Sequence, residues 1–179
     1  YNIEIEEKEF TPEENAQQQE RESLYVVHSF AQKYFTDQLH NTDLGKSIGS
    51  GYLLEREVDK AIIEKFELGY SPENRTAFTE AAQKNGHKLD ILGKSGITFQ
   101  NDRGAYDRFF GRVMFPIHNL TGRVIGFGGR TLRTDKKTAK YVNSPETPIY
   151  SKSKVLYGIF FAKKTIVSND QCYLVEGYT

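Results

Sequence analysis

From Thr11 onward the apolar positions of the chain fall into a helical period. Thr11, Pro12 and Glu14 read as an N-cap, a first-turn proline and the closing residue of a capping box. Leu24, Val27, His28, Ala31, Tyr34, Phe35 and Gln38 lie near one face, which predicts a helix to about His40 with that stripe in the core. Asn41, Gly45, Gly49 and Gly51 predict a loop over 41–51. Val58, Ile62 and Phe66 mark a second amphipathic helix, and Ser71-Pro72 turns the chain after it. A third helix is predicted over 74–85, ended by Gly86 in the left-handed conformation. Leu89, Ile91 and Leu92 suggest one more short helix.

The period changes at Ile97. Asn101–Gly104 reads as a turn between short extended runs. Arg112–His118 and Arg123–Phe127 are predicted strands joined by Asn119-Leu-Thr-Gly122, a hairpin with a four-residue loop. Alternation puts Val113, Phe115 and Ile117 on the core side and Arg112, Met114 and Pro116 on the other. Tyr141–Ser144 is a further short strand, Val155–Lys164 is apolar at helical spacing, and Cys172–Val175 is predicted as a buried strand. Helices followed by antiparallel strands give an α+β fold.

Charge sharpens this picture. The net charge is zero, yet residues 103–164 carry thirteen Lys/Arg against Asp107, Asp135 and Glu146, a balance of +10. Residues 1–22 carry eight Glu against Lys8 and Arg21, a balance of −6. A basic segment of this size suits a phosphate-bearing ligand. The single cysteine, Cys172, excludes an internal disulfide and a cysteine-based zinc site; with the acidic start it fits a cytoplasmic protein. The start at Tyr1 suggests a piece of a longer protein, with residues 1–20 an acidic linker. No run is long and apolar enough for a transmembrane helix, so no membrane partner is expected.

Several residues carry candidate chemistry. Gly126-Phe127-Gly128-Gly129-Arg130 either packs a strand tightly or brings a backbone close to an anion. Arg108, Arg112 and Arg123 lie on or beside the hairpin, where a guanidinium on the open side makes bidentate phosphate contacts. Lys140, Tyr141 and Asn143 combine a cation, a stacking ring and an amide in one stretch, and Lys152 follows. Glu176, between Val175 and Gly177, is either a metal ligand or general base, or a strand-end carboxylate. His28, His40, His87 and His118 are scattered and read as structural or exposed.

Arg112–Arg130 (RVMFPIHNLTGRVIGFGGR), Lys140–Thr147 (KYVNSPET), Leu156-Tyr157-Gly158 and Val175–Tyr178 (VEGY) closely resemble the core of bacterial DnaG-type DNA primases. Tyr106-Asp107-Arg108-Phe109 and Gly51-Tyr52-Leu53 with Arg56 also look like family segments, so the resemblance spans residues 20–179. It implies an enzyme that makes short RNA primers on single-stranded DNA from ribonucleoside triphosphates. Residues 21–168 would be the N-terminal subdomain of its polymerase core, and 169–179 the opening of a Toprim domain. The resemblance implies that Glu176 is the catalytic, metal-linked glutamate of the first Toprim motif, serving Mg²⁺ or Mn²⁺. It places Arg56, Arg130, Lys140, Tyr141, Asn143 and, with a looser match, Lys152 along the template and nucleotide path.

The chain departs from the family pattern in what it lacks. The Zn²⁺ ribbon, the later Toprim carboxylates and the helicase-binding domain are absent from it. No tightly bound cofactor is therefore expected, and the chain alone is expected to be inactive. Two alternatives stay open at this point: a nucleic-acid or nucleotide-binding module without catalysis, and part of another Toprim enzyme, a nuclease or topoisomerase.

Overall fold

The structure, a computed structural model, describes residues 11–133 and 137–178. Of the predicted acidic linker, residues 1–10 lie outside the described residues, and residues 12–20 are the first turns of a helix. Helix α1 runs over Pro12–Asn41 and begins with the predicted capping box between Thr11 and Glu14. At 1.5 Å per residue it is about 45 Å long, and its stripe of Leu24, Val27, His28, Ala31, Phe35 and Leu39 is buried. Short helices α2 (Gly51–Leu54), α3 (Lys60–Lys65), α4 (Ala77–Lys84) and α5 (Leu89–Lys94) follow, and Gly86 has the expected positive φ of 85° beyond α4.

The strands are β1 (Gly69–Ser71), β2 (Thr98–Asn101), β3 (Gly104–Asp107), β4 (Arg112–His118), β5 (Val124–Thr131) and β6 (Tyr141–Asn143). They form an antiparallel sheet in the order β1-β4-β5-β6 and a separate β2-β3 ribbon. Helix α6 (Ile159–Asn169) closes the α+β fold, starting after Gly158.

Both faces of the sheet are covered. On one, Met114 and Phe127 pack with Val27, Ala31 and Phe35 of α1 and with Phe78, Leu92 and Phe109. On the other, Val113 and Phe115 pack with Leu39, Leu53, Ile63 and Tyr70. All seven residues of β4 are consequently buried, and this corrects the placing of Arg112 on an open side. Arg112 is 7% exposed. Its Nη1 donates to the carbonyls of Gly129 and Ala139, both at 3.1 Å, and to that of Lys140 at 3.3 Å. Its guanidinium ties β5 to the segment entering β6 instead of facing a ligand.

Three further readings are corrected. Residues 41–51 are not an open loop: Gly45–Ser50 forms a π-helical turn that leads into α2. The glycines there are close contacts, since a Cβ on Gly45 would sit 1.9 Å from the Gln38 carbonyl oxygen. Strand β1 was not anticipated, because three residues are too few to show an alternation. Cys172–Val175 is not a buried strand. Tyr173, Leu174 and Val175 are 85%, 80% and 77% exposed. No described strand pairs with them, so their backbone groups have only solvent to bond.

His28 is fully buried at the centre of the α1 interface, its ring stacked 5.8 Å from that of Phe127. Its Nδ1 lies 2.8 Å from the Leu24 carbonyl oxygen. A carbonyl only accepts, so Nδ1 carries the proton and Nε2, which has no partner, is the bare nitrogen. Burial lowers the pKa to about 4, against the weaker pull of the Leu24 bond. The folded value lies below the unfolded one of about 6.5, so the neutral ring's contribution is complete above pH 6.5 and is lost as pH falls toward 4. Going from pH 7 to pH 5 should cost about 2 kcal/mol from this group. Urea unfolding at the two pH values measures it, and in His28→Leu the difference should shrink by that amount.

Candidate nucleic-acid interface

Antiparallel register places Arg130 of β5 opposite Tyr141 of β6, and Gly128 opposite Asn143. Alternation puts these four positions on the same sheet face as Val113 and Phe115. Arg130 projects from that face toward the helical part of the chain. Its Nε donates to the Tyr52 hydroxyl at 3.0 Å, and its guanidinium carbon lies 5.0 Å from the Tyr141 ring centre and 5.9 Å from that of Tyr52. Arg56 stacks over Tyr52 at 4.7 Å. Cation and ring thus alternate through Arg56, Tyr52, Arg130 and Tyr141. The terminal nitrogens of Arg130 make no hydrogen bond among the described residues, which leaves the fork of donors that suits a phosphate.

The turn carrying Glu176 docks beside this column. Tyr178 stacks on Phe115 at 5.1 Å, meets Tyr157 edge-on at 4.7 Å and donates its hydroxyl to Asn143 Oδ1 at 2.8 Å. The ring lies over Gly128, where a Cβ would come within 2.6 Å of Tyr178 Cζ. The glycine run therefore serves tight packing at this position. Glu176 itself is exposed, with no hydrogen bond or ion pair among the described residues. The described residues hold no group of three His, Cys, Asp or Glu that could bind a metal ion. Glu176 alone does not fit Mg²⁺ or Mn²⁺, which take about six oxygen ligands.

The remaining predicted cations separate. Arg108 lines a second cavity of about 430 Å³ with Arg75, Arg103, Phe99, Tyr106 and Phe110. Its Nε donates to the Gly96 carbonyl at 2.7 Å, its guanidinium carbon lies 6.0 Å from the Phe99 ring, and burial lowers its pKa. Arg123 sits seven residues before Arg130, roughly 23 Å away along the strand. There it pairs with Glu22 at 2.8 Å and stacks on Tyr25 at 3.5 Å, and the bond from Arg123 holds the Glu22 carboxyl below its usual range. It belongs to the α1 interface and not to the cation–ring column. Lys140 is exposed next to Tyr141. Lys152 is exposed on a 3₁₀ turn whose backbone N–H is taken by Glu146 at 2.8 Å.

Sequence reading missed Tyr52, Tyr178, Arg75 and Arg103 as members of these two sites. Tyr52 and Arg56 sit four apart, the spacing that brings two side chains together over a helical turn, and that signal was available.

Residues 34–163 match the family model described as the N-terminal domain of the DNA primase catalytic core. The chain is 41% identical over 164 residues to a DNA primase of Halalkalibacterium halodurans, covering 90% of this chain and 27% of that protein. It superposes with a TM-score of 0.82 and 36% identity on the RNA polymerase domain of Mycobacterium tuberculosis primase DnaG, solved with a double-stranded DNA oligomer with a 6-nucleotide overhang. That match covers 88% of this chain and 49% of that one. A DnaG primase catalytic domain bound to ssDNA matches with a TM-score of 0.73 and 34% identity, over 82% of this chain and 46% of that one. The chain thus spans about a quarter of the length of the curated relatives it matches.

Proposed function

The chain belongs to the DnaG-type DNA primase family, through the N-terminal domain of the catalytic core, and on that premise we propose that it is the template- and nucleotide-holding part of a primase. Such an enzyme is a nucleotidyltransferase that makes RNA primers on single-stranded DNA. The observation that carries the reading is the column of Arg56, Tyr52, Arg130 and Tyr141 with the Glu176 turn docked beside it. The column offers charge to phosphate and ring faces to bases. The cavity of Arg75, Arg103 and Arg108 with Phe99 and Phe110 offers the same pairing of cation and ring, and we assign it to the template strand.

In this reading residues 21–168 form the N-terminal subdomain and 169–179 open a Toprim domain. Glu176 would be one ligand of a Mg²⁺ or Mn²⁺ site whose other carboxylates are not assembled among the described residues, and the metal would neutralise charge at the transferred phosphate. What this chain's residues do is positional: Arg130 and Lys140 face the incoming triphosphate, Tyr141 its base, and the second cavity the strand. A zinc-bearing domain, the replicative helicase and a cytoplasmic replisome belong to the whole enzyme and are proposed on the family alone. No described helix is long and apolar enough to cross a membrane.

For the chain taken by itself we propose binding without catalysis, because the described residues bring no further metal-binding group to Glu176. Fluorescence anisotropy with labelled single-stranded DNA tests this. Binding should weaken with salt at a log–log slope of roughly −3, as expected for four or so phosphates neutralised on a single strand. A flat salt dependence would contradict the interface. Primer synthesis by this chain with Mg²⁺ and ribonucleotides would contradict the assignment of the missing ligands.

A further inference from the structure

We infer that Tyr178 is the positioning residue of this site: one ring and one hydroxyl register the Glu176 turn against the sheet and set which end of the Asn143 amide faces the ligand. This deepens the proposed function and rests on it only where nucleotide is concerned. The turn itself has few contacts. Tyr173, Leu174, Val175 and Glu176 are exposed, and Gly177 has a φ of 97°. Tyr178 is then set among Phe115, Tyr157 and Tyr141 and over Gly128. Rings packed on this scale fix position more firmly than exposed polar contacts do.

The hydroxyl has a second effect. Burial, reinforced by the nearby Tyr150 and Tyr141 phenols, pushes the Tyr178 pKa up to about 12, so the phenol stays a donor. It donates to Asn143 Oδ1, which consumes that oxygen as the acceptor. Asn143 Nδ2 makes no hydrogen bond among the described residues. The amide therefore presents its NH₂ outward from the strand that carries Tyr141, as a donor for a hydroxyl, carbonyl or phosphate oxygen of a ribonucleoside triphosphate.

The test uses Tyr178→Phe, which keeps the ring, together with Asn143→Ala, Asn143→Asp and the double variant Tyr178→Phe/Asn143→Ala. All are read in the chain without ligand by backbone ¹⁵N relaxation and by the Asn143 side-chain NMR resonances. Tyr178→Phe and Asn143→Ala should each lower the order parameter at Gly177 and position 178 from about 0.85 to about 0.6, with no further loss in the double variant. Asn143→Asp keeps an acceptor and should leave the order parameters near the parent values, a rescue that a merely structural role would not give. The Asn143 NH₂ resonances should move toward those of a free amide in Tyr178→Phe. Unchanged order parameters and unchanged Asn143 resonances in Tyr178→Phe would overturn the assignment. With the magnesium salt of GTP as probe, Tyr178→Phe should weaken binding about fivefold. A parent chain that shows no saturable GTP binding would overturn the nucleotide reading, and the ligand-free relaxation would still decide the role of Tyr178.

Discussion

Asp107→Ala is expected to cost about 3 kcal/mol of folding stability, from two buried backbone amides left without an acceptor at about 1–3 kcal/mol each, since the Thr79 hydroxyl can still turn to the Thr98 hydroxyl 2.9 Å away. Asp107 is 3% exposed at the end of β3. Its Oδ2 accepts from the Phe78 N–H at 2.8 Å, and its Oδ1 accepts from the Thr79 N–H at 2.9 Å and the Thr79 hydroxyl at 2.6 Å. Those amides open α4, whose own N-cap, Thr76, makes no side-chain cap bond. The helix is therefore capped from a strand 28 residues further along, and the carboxylate also faces the positive end of the helix dipole. Burial raises the Asp107 pKa more than these bonds lower it, so desolvation already offsets part of the gain. The lower half of the summed range is accordingly the better figure. Asp107→Asn keeps one accepting oxygen and should lose about half as much. Urea unfolding measures both. A variant that unfolded like the parent but no longer bound DNA would make Asp107 a ligand group instead of a cap.

Arg130→Ala should weaken nucleotide and single-stranded DNA binding about a hundredfold, or about 3 kcal/mol. The guanidinium is held from two sides, by the Tyr52 hydroxyl and the Tyr141 ring, so little of its freedom remains to be lost on binding. Its charge lies near Arg112, whose pKa is lowered by burial first and then by Arg130 and Arg133. An anion at Arg130 would relieve that repulsion, which adds to its attraction. Arg130→Lys keeps the charge but not the fork, and should recover only part of the affinity. Titration by anisotropy, beside a melting curve, checks this. Equal affinity in Arg130→Ala and the parent would remove the column from the interface.

The fold was legible where a period runs long. The stripe from Leu24 to Phe35 and the box at Thr11 gave α1 nearly to its last residue, and the hairpin followed from alternation around a turn. What failed did so for physical reasons. Alternation along β4 assumes one wet face, but two layers bury both, and Arg112 hydrogen-bonds inward. Apolar composition at Cys172–Val175 suggested a strand, yet strands need neighbours that the local sequence does not supply. The cations were visible as a cluster along the chain, but register sorted them in space. Arg56, Arg130, Tyr141 and Asn143 converge, Arg108 lines a separate cavity, and Arg123 turns to Glu22. Glu176 and the stretch at Lys140 stood out by their local chemistry before the resemblance gave them roles, and the four-residue spacing from Arg56 pointed to Tyr52, whereas the part played by Tyr178 emerged only from its contacts.

The seat of Gly45 has a diagnostic consequence. Tyr52 and Arg56 hang from a helical segment whose backbone meets that of α1 directly at Gly45, and a single methyl at position 45 would collide with the Gln38 carbonyl. A bulkier residue there would swing the whole segment outward and carry one half of the cation–ring pile with it. In a screen scored by affinity, such a lesion would masquerade as damage to a binding group, although position 45 itself is buried. Telling the two apart requires asking whether Tyr52 still reaches the Arg130 guanidinium, and not merely whether the complex forms.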